Sequence, residues 1–299
     1  MNIRRNILIF HQAALGDFIV TWPLALALAR AFAQSRIIYV THSQKGKLAE
    51  RVLRVESADS EAGWHSLFVD SPQLPSPAAK LLEGAQIVVS FGAMPGISLA
   101  APHAKIISLD TKLPGEGHVS EILMQQLDPM IATAMQQMLR SISSRGVGYR
   151  LEASNRIVIH PGAGKEANRW PAEKFLKLAR RLQEEGKNVR VLLGETEIEK
   201  WSAELIRQFQ ACAEVHRPVT LLELLDEISA ADIFVGNDSG PGHLAGIIGV
   251  PTISLFGASD PTRWRPLGPR AVVVRRQPIE TIASEDVWRA IKESQVKTS

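Results

Sequence analysis

Residues 232–257, DIFVGNDSGPGHLAGIIGVPTISLFG, decide the fold. A β-rich apolar run at 232–235 passes through a glycine-bearing loop into an apolar helical segment at 240–248, and a second β-rich run follows at 252–255. Strand, loop, helix and strand in direct succession imply parallel strands joined by a crossover helix.

The alternation extends in both directions. Upstream, strands are expected at 156–159 and 188–193, with helices at 171–185, 198–210 and 221–230. Pro171 suits a first helical turn and Gly186 a helix stop. Downstream, a strand is expected at 271–274. A final helix from Ser284 to about Glu293, with two acids in its first turn, is expected to pack back across the first domain. The first half repeats the style, with strands at 6–10, 36–40, 67–69, 86–90 and 105–109 and helices at 18–33, 45–55 and 121–141. Between the halves lies SISSRGVGYRLEASNR at 141–156, polar and carrying two glycines, which places the boundary between domains 1–150 and 151–299.

Composition bounds the function. The 299 residues are 45% hydrophobic and 22% charged, ordinary for a globular chain. A net charge of +3 without basic clusters argues against nucleic acid as a partner. The single cysteine, Cys212, excludes an intrachain disulfide and a thiolate metal cluster, and the eight histidines lack ligand spacing, so no metal is expected. The amino-terminal segment lacks a signal-peptide core, and no apolar run approaches the roughly 20 residues that span a bilayer. The reading is a cytoplasmic protein, with any membrane contact peripheral.

In open α/β sheets, ligands bind beyond the carboxyl ends of the strands. Four loops there carry chemistry. In HQAALGDFIVTWP (11–23), Gly16 permits a tight turn, and Asp17 is either a helix cap or a carboxylate facing an interdomain cleft. HPGAGKEANRWP (160–171) combines two glycines with Lys165 and Arg169 and is either a setting friendly to phosphate or an ordinary turn with solvated charges; it is neither a P-loop nor a GxGxxG fingerprint. VGNDSGPGH (235–243) offers Asp238, Ser239, Gly240 and Gly242 at a helix start, a natural pyrophosphate site, with His243 in the first turn. The plainer alternative is that Asp238 or Ser239 caps the helix while His243 packs under a loop. LFGASDPTRWRPLGP (255–269) carries Arg263, Trp264 and Arg265, placed to neutralise phosphate or to coat the surface.

These residues resemble glycosyltransferase family 9, the ADP-heptose:lipopolysaccharide heptosyltransferases and their relatives. The resemblance rests on ALGDFIVTWPL (14–24), HPGAG, RWP, the run 221–257 and DPTRWRPLG (260–268). It implies a GT-B fold of two Rossmann-like domains facing across a cleft, with the acceptor side in the first and the nucleotide-sugar donor in the second. It also implies metal-independent, inverting transfer without a cofactor.

Carried over by motif, Asp17 is the general base on the acceptor hydroxyl. Asp238, Ser239, Gly240 and His243 lie against the donor sugar and diphosphate, and Glu197 is the acid that holds the nucleotide ribose. Gly16, His160, Gly162, Lys165, Asn168, Arg169 and Arg263 complete the donor-binding set. One departure stands out: many relatives carry a lysine two positions before the tryptophan of RWP, where this chain has Asn168, so positive charge must come from Arg169, Lys165 or helix amides. The expected activity is transfer of heptose from ADP-heptose to a lipopolysaccharide-core or related glycan hydroxyl at the inner membrane. The alternatives are a GT-B-like sugar-nucleotide epimerase and a nucleotide-sugar-binding protein that has lost transfer.

Overall fold

A computed structural model describes residues 5–112, 114–149 and 155–296. The chain divides into two compact units, Met1–Arg140 and Ser141–Ser299. The boundary expected at 150/151 lies outside the described residues.

In the first unit the strands are β1 (Asn6–Phe10), β2 (Arg36–Thr41), β3 (Glu56–Asp59), β4 (Ala85–Phe91) and β5 (Lys105–Leu109). They form one parallel sheet in the order β3-β2-β1-β4-β5. Its helices are α1 (Leu15–Val20), α2 (Trp22–Ala31), α3 (Ser43–Leu53), α4 (Ser76–Glu83), α5 (Ile97–Ala100) and α6 (Val119–Gln125), while α7 (Pro129–Arg145) runs on past residue 140.

The second unit's strands are β6 (Arg156–His160), β7 (Asn188–Leu192), β8 (Glu214–His216), β9 (Ile233–Asn237), β10 (Thr252–Phe256) and β11 (Ala271–Arg275). They are parallel in the order β11-β10-β9-β6-β7-β8. The helices are α8 (Ala172–Glu184), α9 (Glu195–Lys200), α10 (Ala203–Gln210), α11 (Leu221–Ser229), α12 (Gly240–Ile247), α13 (Pro261–Trp264) and α14 (Ser284–Val296).

The central strands are buried, as a sheet covered on both faces requires: every residue of β1, β9 and β10 is buried. Helix α14 packs on α8, β10 and β11. There the Arg181 guanidinium lies 3.7 Å above the Trp288 ring, and Trp288 Nε1 donates to Glu185 at 2.6 Å.

Four expectations need correction. The helix foreseen at 18–33 is two, broken at Thr21, whose hydroxyl donates back to the Phe18 carbonyl at 2.7 Å and meets the Tyr39 hydroxyl at 3.0 Å. The strand foreseen at 67–69 is part of a 3-10 turn, Trp64–Phe68, that buries Trp64 and Leu67. The true edge strand is β3, ESAD, which no apolar pattern announces; pairing with β2 and the Arg36–Glu56 ion pair hold it. The helix foreseen at 121–141 is interrupted before Pro129, where Asp128 Oδ1 accepts the Ile131 amide at 3.1 Å. The helix foreseen at 198–210 is likewise two, because Ser202 Oγ accepts the Leu205 amide and starts a new one. Strand β8 is short, polar and was also illegible.

Candidate functional site

Each sheet has a switch point where successive strands leave a central strand in opposite directions, and there the loops at the carboxyl ends diverge to leave a crevice. In the second unit that point lies between β6 and β9. The loops after β10, β9, β6 and β7 therefore stand side by side, and they hold every donor-binding residue expected from this half.

Two asparagines organise them. Asn237, the fully buried last residue of β9, accepts the Trp170 amide at 3.0 Å and donates to the carbonyls of Pro161 at 2.7 Å and Gly162 at 3.4 Å. Nothing in the sequence singled it out, although a polar residue ending an apolar strand was the available signal. Asn168 closes a 3-10 turn, Glu166–Asn168, and is buried. Its Oδ1 accepts the amides of Ala258 and Ser259 at 3.0 and 3.2 Å, and its Nδ2 reaches Asp238 Oδ2 at 3.5 Å. Ser259, also not foreseen, donates its hydroxyl to the same Asp238 oxygen at 2.5 Å.

Asp238 follows β9, and its other oxygen stands 3.7 Å from Nε2 of the buried His243. Ser239 does not cap α12. It occupies the N-cap position with its hydroxyl turned to the Asn237 carbonyl at 3.0 Å, so the first-turn amides, where Gly240 begins the helix, take no bond from its side chain. Those amides and the helix dipole favour an anion.

A second group gathers His160, Gly162 and Glu197. A Cβ at Gly162 would lie 2.7 Å from the His160 ring and 2.9 Å from Glu197 Oε2, so only glycine fits between them. Glu197, in the first turn of α9, is buried and accepts the Gly194 amide at 3.2 Å. Burial pushes His160 down to about 4, so its ring is neutral near pH 7. Arg169 is half-buried and donates to the Ala163 carbonyl at 3.0 Å. Lys165 is exposed on the same loop, and half-buried Arg263 sits in α13 after β10.

In the first unit the switch point lies between β1 and β4, and the loop after β1 carries Gly16 and Asp17. Asp17 is not a cap: Ala14 holds the N-cap position of α1, and Asp17 is half-buried in the first turn. Lys45 of α3, unremarked in the sequence, pins the loop before it, donating to the carbonyls of Gln12 at 3.2 Å and Ala13 at 2.6 Å. Burial lowers the Lys45 pKa, and attraction to Asp17 opposes that shift. His11, at the end of β1, is pushed down to about 3 by burial and by the Lys45 cation. Asp17 thus shares its surroundings with a cation and a neutral imidazole.

Among the described residues no three His, Cys, Asp or Glu side chains gather to hold a metal ion, and no helix is long and apolar enough to cross a membrane.

Residues 118–288 match the model of glycosyltransferase family 9 (heptosyltransferase), more than half of the chain. The chain belongs to glycosyltransferase family 9. Lipopolysaccharide heptosyltransferase 3 of Escherichia coli strain K12 is 33% identical over 137 residues, a stretch that is 44% of this chain and 37% of that relative's length. The glycosyl transferase family 9 structure from Veillonella parvula DSM 2008 superposes with a TM-score of 0.74 at 17% identity, covering 99% of each chain. E. coli heptosyltransferase WaaC, solved with ADP, gives a TM-score of 0.70 at 16% identity, covering 97% of this chain and 99% of its own. These likenesses show the fold: two parallel α/β units of the GT-B class. In this family 9 chain the motifs at 160–171 and 235–269 meet at the β6/β9 switch point of the second unit, joined by the bonds of Asn168 and Asn237.

Proposed function

We propose that this family 9 member is an inverting glycosyltransferase. It transfers heptose from ADP-heptose to a hydroxyl of a lipopolysaccharide core or related glycan, working in the cytoplasm at the periphery of the inner membrane. The observation that carries the reading is the assembly of Asn168, Asn237, Asp238 and His243 at the β6/β9 switch point of a family 9 chain.

In this reading the second unit binds the nucleotide. Glu197 and His160 flank the ribose, while the first-turn amides of α12, with Arg169, Lys165 and Arg263, receive the diphosphate. Asp17 of the first unit takes the proton from the acceptor hydroxyl as its oxygen attacks the anomeric carbon. The bond from that carbon to the diphosphate oxygen breaks, its electron pair leaves with ADP, and the configuration inverts in one displacement. Donors fixed before the reaction stabilise the departing charge without reorganising. The family match supports transfer over epimerisation.

The test is ADP release from ADP-heptose with and without a heptose-deficient lipopolysaccharide core, in the presence of a chelator. Release that needs the acceptor and survives chelation is expected. Release at the same rate without acceptor would identify an epimerase or hydrolase, and tight ADP binding with no turnover would identify a binding protein.

A further inference from the structure

Asn168 occupies an unusual chemical position. Its Oδ1 accepts two consecutive backbone amides, Ala258 and Ser259, which converge on one point in the way that chain N–H groups converge on an anion. Its Nδ2 faces Asp238, whose same oxygen also takes the Ser259 hydroxyl. One carboxamide thereby closes a ring through the loops after β6, β9 and β10. The packing around the ring is tight: a Cβ at Gly257 would collide with the Ala167 carbonyl and stand 2.8 Å from Ile279 Cβ.

A carboxamide can play this part because it accepts on one atom and donates on the other. An ammonium has three donors and no acceptor. Placed at 168, it would confront two amides with nothing to offer them and would compete with Ser259 for Asp238. A buried donor left without an acceptor costs more than the bond itself contributes.

We propose that Asn168 is a positioning residue of the donor site, tying three loops into their nucleotide-binding arrangement, and that a lysine here weakens nucleotide binding despite its added charge. The inference rests on the donor reading above, in which these loops receive the nucleotide diphosphate.

The experiment compares the wild type with Asn168→Lys and Asn168→Ala. ADP affinity is measured by calorimetry, and hydrogen exchange at residues 257–260 is followed without ligand. Lysine and alanine both remove the acceptor, and only lysine adds positive charge. Both are expected to bind ADP about tenfold more weakly and to exchange about tenfold faster in this loop, the lysine variant no better than the alanine one. Asn168→Ala also serves if the lysine side chain prevents folding, because it removes the tie without adding bulk or charge. An Asn168→Lys protein that binds ADP as tightly as the wild type or more so would overturn the proposal, and so would an Asn168→Ala loop that exchanges as slowly as the wild type. A wild type that binds no ADP would refute the donor reading itself, while the exchange measurements would still judge the tie between the loops.

Discussion

Asp17→Asn separates a base from a structural carboxylate. The substitution preserves shape, so the bonds from Lys45 to the Gln12 and Ala13 carbonyls have no steric reason to break. What folding loses is one negative charge in the first turn of α1, worth about 0.3–1 kcal/mol, and a half-buried attraction to Lys45, worth up to about 1 kcal/mol after solvent screening. Together these stay under about 2 kcal/mol, a fall of only several degrees in melting temperature for a unit of this size. Removing a general base costs about a hundred- to ten-thousandfold in rate, or roughly 3–5.5 kcal/mol of barrier. The kinetic loss should therefore exceed the stability loss. The assay is single-turnover transfer beside ADP titration and a melting curve for both proteins. Transfer at close to the wild-type rate would refute the assignment, and loss of ADP affinity in parallel with rate would move Asp17 to the donor side.

Three further outcomes are expected. Arg169→Ala should weaken ADP binding about tenfold, as loss of a charge-assisted phosphate contact does, while shifting stability by under about 1 kcal/mol; an unchanged affinity with a sharply lower melting temperature would make this arginine structural. Lys45→Met should lower the transfer rate about ten- to hundredfold by loosening the loop that carries Asp17, with ADP affinity in the second unit unchanged and partial recovery in Lys45→Arg. Stability should also depend on pH through His11 and His160, whose folded values near 3 and 4 lie below the ordinary 6.5. The unfolded chain then binds protons that the folded one does not. This stabilisation is complete above pH 6.5 and is lost as pH falls toward 4, by a few kcal/mol. Melting curves across that range should show the decline, and His160→Gln should flatten its share; an equal slope in the variant would rule that histidine out.

The sequence by itself determined the α/β class, the central strands and the loops where chemistry gathers. Apolar runs such as NILIF at 6–10 and TISLF at 252–256 must be buried on both faces, and burial writes itself into composition. It also offered Asp17 beside a glycine, Asp238 after a strand and His243 in a helix's first turn as candidates. Tertiary structure alone decided the edges, whereas the helix breaks carry local signals, at Asp128 before Pro129 and at Ser202, within otherwise continuous apolar patterns. Strand β3 is the polar ESAD, held by its neighbour β2, and the hydroxyl of Thr21, at the junction of α1 and α2, meets Tyr39, a partner 18 residues away. The site's internal wiring was hidden for the same reason. Asn168 bonds to residues 70 to 91 positions distant, and Asn237 bonds to Trp170 and Pro161 across similar gaps. A carboxamide's partners depend on which loops the sheet order sets side by side, and that order follows from how the strands pair in space, which local pattern does not encode.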